Sequence, residues 1–155
     1  MSRARILATG PVDSIAIEIL QPFGNLLVAK DCREASLLSL LDGTVGLIIR
    51  SEGRASAKVI REARDLKVIG RPGVGYDTVD IQAATKHKIP VVFTPGAGAP
   101  AVAEAALALM LSLSKRLAFW DRQFKQGNWQ SRFESKPGDL EGATLGIIGF
   151  GRWSV

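Results

Sequence analysis

Five short apolar runs recur through the first part of the chain, and they limit the fold more than any other feature. They are Arg5-Ile-Leu-Ala8, Asn25-Leu-Leu-Val-Ala29, Val45-Gly-Leu-Ile-Ile49, Leu66–Ile69 and Pro90-Val-Val-Phe93. The apolar residues are consecutive rather than alternating, which predicts strands buried on both faces, as in a parallel sheet between helical layers. Each gap holds a helical pattern with its own start signal. Pro11 ends the first strand, and Asp13 or Ser14 caps a helix carrying Ile15 and Ile19 on one face. A second helix runs near Arg33–Leu41 with Leu37, Leu38 and Leu41 at helical spacing, and Asp42-Gly43 turns the chain into the third strand. Ser56 caps a third helix bearing Val59, Ile60 and Ala63. Asp77-x-x-Asp80 resembles a capping pair for a fourth helix that ends near His87. Alternating strands and helices with short connections predict a doubly wound α/β domain of about 95 residues.

In such sheets ligands lie beyond the carboxyl ends of the strands. Arg50-Ser51 follows the third strand, and Arg71-Pro-Gly-Val-Gly75 follows the fourth, so both fall on that edge. Gly73 and Gly75 flank one residue, so several backbone N–H groups can face one spot. A turn of this kind entering a helix attracts a small anion. Read alone, the two glycines are equally turn glycines, and Arg50 and Arg71 equally solvated arginines.

The punctuation changes at Thr94-Pro-Gly-Ala-Gly-Ala-Pro100, which reads as a hinge. Ala101–Lys125 then reads as one long helix whose first half is apolar nearly all round, as in a helix buried between two bodies. Its apolar stretch, Ala99–Leu113, is interrupted by Glu104 and falls short of the roughly 20 residues that span a bilayer. Glu104 reads as structural, and the single histidine, His87, as a surface residue. Gly142–Arg152 reads as a strand running into Gly149-x-Gly151.

Net charge is +5, but Ser114–Lys136 carries six Lys/Arg against two Asp/Glu, so most of the excess is a solvated helix face rather than a nucleic-acid track. With one cysteine, Cys32, no internal disulfide is possible, and a soluble cytoplasmic protein is expected, with no membrane partner and no metal site.

Gly70-Arg-Pro-Gly-Val-Gly-Tyr-Asp-Thr-Val-Asp80, Ala83-Ala-Thr85, Thr94-Pro95, Val102-Ala-Glu104 and Leu140-x-Gly-x-Thr-Leu-Gly-Ile-Ile-Gly-Phe-Gly-Arg152 stand in one order and spacing. Together they resemble the N-terminal half of the D-isomer-specific 2-hydroxyacid dehydrogenases, nearest to the D-3-phosphoglycerate dehydrogenase branch. The resemblance implies a flavodoxin-like substrate-binding domain over residues 1–97, followed over 98–155 by a hinge, a long helix and the start of a Rossmann-type domain for NAD. It implies that the substrate, a small 2-hydroxy or 2-oxo acid, rests its carboxylate on the amides of Gly73, Val74 and Gly75. Val74 would also touch the nicotinamide end of the cofactor. Arg50, Ser51 and Arg71 would lie near a substrate phosphate, which leans the substrate toward a phosphorylated acid. Gly149, Gly151, Arg152 and Trp153 would belong to the NAD site.

The sequence departs from that pattern in places. Gly98-Ala99, Tyr76 and Thr78 replace commoner residues, and Lys88 stands where a helix-ending glycine is usual, so it must enter αL or end the helix differently. Ser154 takes the third fingerprint glycine, and Trp153-Ser-Val155 replaces the usual continuation. The family's catalytic arginine, glutamate and histidine have no counterpart here. The expectation is a truncated or frame-shifted dehydrogenase, inactive alone, that forms a homodimer or pairs with a full-length relative. The other reading is a binding or dimerisation module for a small carboxylate or phosphate, without catalysis.

Overall fold

The computed structural model describes residues 3–133 and 136–149. The chain divides into two compact units, Met1–Ala97 and Gly98–Val155.

The first unit contains strands β1 (Arg5–Ala8), β2 (Asn25–Val28), β3 (Thr44–Ile48), β4 (Val68–Arg71) and β5 (Val91–Phe93). Helices α1 (Ser14–Leu20), α2 (Glu34–Leu38), α3 (Ala57–Glu62) and α4 (Ile81–Lys86) alternate with them. All five strands pair in parallel, in the order β2-β1-β3-β4-β5. This is the doubly wound α/β sheet read from the apolar runs. The helix starts follow their cap residues: Asp13 accepts the Ile15 N–H, Ser56 the Val59 N–H, and Asp80 the Ala83 N–H.

Burial differs between the two faces of the sheet, where the unbroken apolar runs predicted both to be buried. In register, Leu27, Leu7, Leu47, Ile69 and Val91 form one face. They join Leu37, Val59, Ile60 and Ala84 of α2, α3 and α4 in a single core. On the other face Ile6 and Ala8 of β1 are buried, whereas Val28, Val68 and Val92 are exposed, Val92 to 58%. The handedness of crossovers explains the difference. The connections through α2, α3 and α4 all step the same way along the sheet, so right-handed crossovers place those helices on one face. Only α1, which steps from β1 to β2, belongs to the other.

The second unit contains α5 (Ala99–Ser114), α6 (Leu117–Lys125) and a 3₁₀ turn, Trp129–Phe133. The single helix expected over Ala101–Lys125 is therefore two. At the break Arg116 adopts φ +52, and its guanidinium lies 4.4 Å from the Phe119 ring centre. Ser114 O accepts the Gly138 N–H at 2.9 Å, and Lys115 pairs with Asp139, so the Gly138-Asp139 segment satisfies the end of α5. No residue of α5 is buried, and Leu113 is 78% exposed. Residues 143–149 form no strand. A strand requires a ladder of inter-strand hydrogen bonds, and the five-stranded sheet includes no residue of this segment. Among the described residues no helix is long and apolar enough to cross a membrane.

Candidate functional site

Four chain segments meet the carboxyl edge of the sheet at defined residues: Thr9 after β1, Arg50 after β3, Arg71 at the end of β4, and Thr94 after β5. Thr9 is buried, and its hydroxyl accepts the Arg50 N–H at 2.8 Å. Gly53 closes the same loop through its N–H to Arg50 O at 3.0 Å. It packs so tightly on Thr9 that a Cβ there would sit 2.1 Å from Thr9 Oγ1. The backbone of Arg50 is thus fixed from inside, while its side chain is exposed.

The glycine turn is fixed from the neighbouring strand. Gly73 N–H donates to Thr94 Oγ1 at 2.9 Å, and Thr94 N–H donates back to Gly73 O at 2.9 Å. Gly73 has φ +154, a conformation that favours glycine. The Val74 and Gly75 amides have no partner among the described residues. Both residues are half-buried.

Arg71 folds over this turn. Its Nη1 donates to Pro72 O at 2.7 Å and lies 2.5 Å from where a Gly73 Cβ would stand. Its Nε is buried without a partner among the described residues, which is costly unless a further acceptor or water arrives.

The turn does not open directly into a helix, as its sequence suggested. Helix α4 starts only at Ile81, and the intervening chain pairs Val79 with Ala55. The Asp80 N–H donates to Ala55 O at 2.9 Å. The capping pair reduces to Asp80 alone on the Ala83 N–H. The turn therefore presents local amides, and no helix N-terminus, to the carboxyl edge.

Arg50 and Arg71 line one cavity of about 340 Å³, together with Pro72, Thr94 and the largely apolar walls of Ile48 and Phe93. Asp13 also lines it, through a carboxylate whose Oδ1 is engaged by the Ile15 N–H. Arg50 borders a second cavity of about 260 Å³, with Thr9, Gly10, Ser51 and Glu52. The structure thus brings Arg50, Ser51 and Arg71 to the two adjoining cavities, with Gly73, Val74 and Gly75 two to four residues beyond the Arg71 wall. A larger cavity of about 490 Å³, near Leu38, Asp42, Lys58 and Glu62, is at the opposite edge and shares none of these groups.

Of the predicted cofactor residues, Gly149 adopts φ +88, the kind of backbone a dinucleotide turn glycine supplies. Gly151, Arg152 and Trp153 lie outside the described residues. His87 caps the C-terminus of α4, where the chain returns to the amino edge of the sheet, and it is exposed. Lys88 takes φ +58 there. Sequence reasoning missed Thr9 and Gly53 altogether, and quoted Thr94 without a role. The signal for the two threonines is positional: each is the first residue after an apolar strand on the ligand edge.

The family model described as D-isomer specific 2-hydroxyacid dehydrogenase, catalytic domain, matches residues 6–148. A hydroxypyruvate reductase of Thermotoga maritima is 36% identical over 97% of this chain and 49% of its own length. A D-3-phosphoglycerate dehydrogenase of Methanocaldococcus jannaschii is 39% identical over 96% of this chain and 28% of its own length. The chain thus spans half or less of the length of these relatives. Among solved structures, the TT0316 protein of Thermus thermophilus superposes with a TM-score of 0.85 at 35% identity, over 97% of this chain and 50% of that one. The NADPH-dependent glyoxylate/hydroxypyruvate reductase of Sinorhizobium meliloti, solved with citrate, gives 0.82 at 28% identity, over 99% and 48%. A parallel sheet in this order, a glycine turn at its ligand edge and a sequence match along nearly the whole chain agree, and the chain belongs to the D-isomer specific 2-hydroxyacid dehydrogenase family.

Proposed function

We propose that residues 1–97 are the substrate-binding domain of an NAD-dependent dehydrogenase acting on a small D-2-hydroxy acid or its 2-oxo form, of the D-3-phosphoglycerate dehydrogenase kind. The observation that carries this reading is the pair of amides at Val74 and Gly75, unpartnered among the described residues, in a turn pinned beside Arg71 at the carboxyl edge. A carboxylate accepts two such N–H groups well, and hydrogen bonds to a charged group contribute about 1.5–3 kcal/mol each. Arg50 and Arg71, on one cavity, suit a phosphate at the far end of the substrate, because a guanidinium donates two parallel bonds. Ser51, in the adjoining cavity with Arg50, adds a hydroxyl.

Gly149 fits the opening glycine of a dinucleotide turn, and Gly151, Arg152 and Trp153 would continue that site. When bound, a nicotinamide cofactor supplies the hydride acceptor. The groups proposed to meet substrate, the Val74 and Gly75 amides, the two guanidinium groups and the Ser51 hydroxyl, are hydrogen-bond donors that bind and orient it. The one histidine, His87, is at the other edge, and the role read for these residues is to bind substrate. The exposed leucines of α5, Leu107, Leu109 and Leu113 among them, support pairing with a second copy or with a full-length relative.

Melting of the purified chain with D-glycerate, D-3-phosphoglycerate or inorganic phosphate, with and without NAD, tests the reading. Both hydroxy acids should raise the midpoint, the phosphorylated one more, and Arg50→Ala should reduce the difference. At a ligand concentration of 100 times Kd the stabilisation amounts to about 2.7 kcal/mol. Failure of both acids to shift melting would refute the substrate assignment. Appearance of NADH would refute the absence of turnover.

A further inference from the structure

We infer that Thr94 is a positioning residue for the carboxylate turn: its hydroxyl engages the Gly73 amide, leaving those of Val74 and Gly75 as the anion's two donors. The inference rests on the carboxylate reading of that turn. Three successive amides follow Pro72, and in isolation all three are candidate donors. The structure distinguishes them. Gly73 N–H is committed to Thr94 Oγ1 at 2.9 Å, whereas Val74 and Gly75 N–H have no partner among the described residues.

The strand register explains why Thr94 occupies this position. Arg71 of β4 pairs with Phe93 of β5. The residue that follows β5, Thr94, then meets Gly73 through two reciprocal bonds, one from its backbone and one to its side chain. Gly73 gives the turn its unusual backbone, φ +154, and Arg71 covers the side where a Cβ would stand. The turn is consequently held at its first residue from two directions, and its next two residues are left to a ligand.

A hydroxyl is required because the Gly73 N–H needs an acceptor that the strand backbone does not supply. Valine has nearly the shape of threonine but no acceptor, while serine keeps the acceptor. With valine the backbone bond from the residue 94 N–H would persist but the Gly73 amide would be released, and the turn would have to be ordered by the ligand. That ordering costs free energy on binding and appears as lost affinity.

The test follows the backbone amides of the full chain by ¹⁵N NMR during titration with sodium D-glycerate. In the native chain Val74 and Gly75 should shift, Gly73 should shift less, and the Gly73 amide should exchange slowly with solvent. Thr94→Val should speed Gly73 exchange and weaken D-glycerate binding by about three- to tenfold, the range expected for one hydrogen bond. Thr94→Ser should restore both. Unchanged Gly73 exchange and D-glycerate affinity in Thr94→Val, with Val74 and Gly75 still shifting, would overturn the role of Thr94 while sparing the carboxylate site. A native chain in which D-glycerate moves none of the three amides would overturn both. If Thr94→Val does not fold, the native titration still decides: a Gly73 shift exceeding those of Val74 and Gly75 would overturn the inference, and the reverse order with Thr94→Ser behaving as native would support it.

Discussion

Replacing Thr9 by valine should loosen the loop that presents Arg50, and the structure sets the size of the effect. Thr9 is buried at the end of β1, and its hydroxyl is the acceptor for the Arg50 N–H at 2.8 Å. Valine keeps the branched shape, so little cavity is created, but the Arg50 amide loses its partner. An unsatisfied buried donor costs about 1–3 kcal/mol. Gly53 adds to the penalty rather than relieving it. A Cβ at Gly53 would lie 2.1 Å from Thr9 Oγ1, so the larger methyl group meets a backbone that is already close. With a urea dependence of about 2 kcal/mol per molar, a loss of about 2 kcal/mol moves the midpoint down by about 1 M. Urea unfolding followed by far-ultraviolet circular dichroism measures this, and hydrogen exchange at the Arg50 amide reports it locally. Thr9→Ser, which keeps the acceptor, should lose much less. Equal stability of Thr9→Val and the native chain would refute the reasoning, as would equal losses for valine and serine.

Three further sets of substitutions test other regions. Lys88 holds φ +58, so Lys88→Gly should remove αL strain and stabilise the chain by about 0.5–1 kcal/mol after the greater freedom of unfolded glycine is deducted; thermal unfolding measures it. The hydrogen bond from Arg33 to Asp31 holds the Asp31 carboxyl well below the usual carboxylate range, so Arg33→Ala should raise it, as read by carboxyl ¹³C titration. Because the folded value is depressed, the associated stability is present above the unfolded value of about 4 and is lost as pH falls through the folded one. Stability at neutral pH should barely change, since the pair is solvent-screened. Leu109→Glu with Leu113→Glu should reduce any self-association seen by size-exclusion chromatography at rising concentration, without altering the first unit's circular dichroism; unchanged association would place the contact elsewhere.

The legible parts of the fold were those set by local chemistry. Asp13 and Ser56 announce helix starts because a short side-chain acceptor before an apolar helical pattern has few other uses, and both cap as read, whereas in the Asp77-x-x-Asp80 pair only Asp80 caps. The five strands were legible because β-branched and leucine runs of that length between caps admit little else. The break at Lys115-Arg116 was not legible, because lysine and arginine are good helix formers and no glycine or proline marks the place. Its cause is the distant Gly138-Asp139 segment, which takes the carbonyl of Ser114 and the ammonium of Lys115. Gly142–Arg152 reads as a strand running into Gly149-x-Gly151, yet residues 143–149 form none, because a strand is made by the sheet it joins. The unequal burial of the two sheet faces follows from crossover direction, which no single apolar run encodes. At the candidate site, the arginines and glycines are candidates by residue type and position after a strand, whereas Thr9, Gly53 and Thr94 act by holding other residues. Such roles depend on which strands are neighbours, and the order β2-β1-β3-β4-β5 is a property of the fold rather than of any motif.

The central claim is that a substrate carboxylate rests on the turn after β4. A crystal structure of the chain grown with D-3-phosphoglycerate tests it most directly. The expected result is a carboxylate within about 3 Å of the Val74 and Gly75 nitrogens, the Gly73 N–H still on Thr94, and the phosphate toward Arg50. A carboxylate seated elsewhere, such as in the cavity lined by Tyr76, Thr85 and Val91, with the two amides left to water, would contradict it.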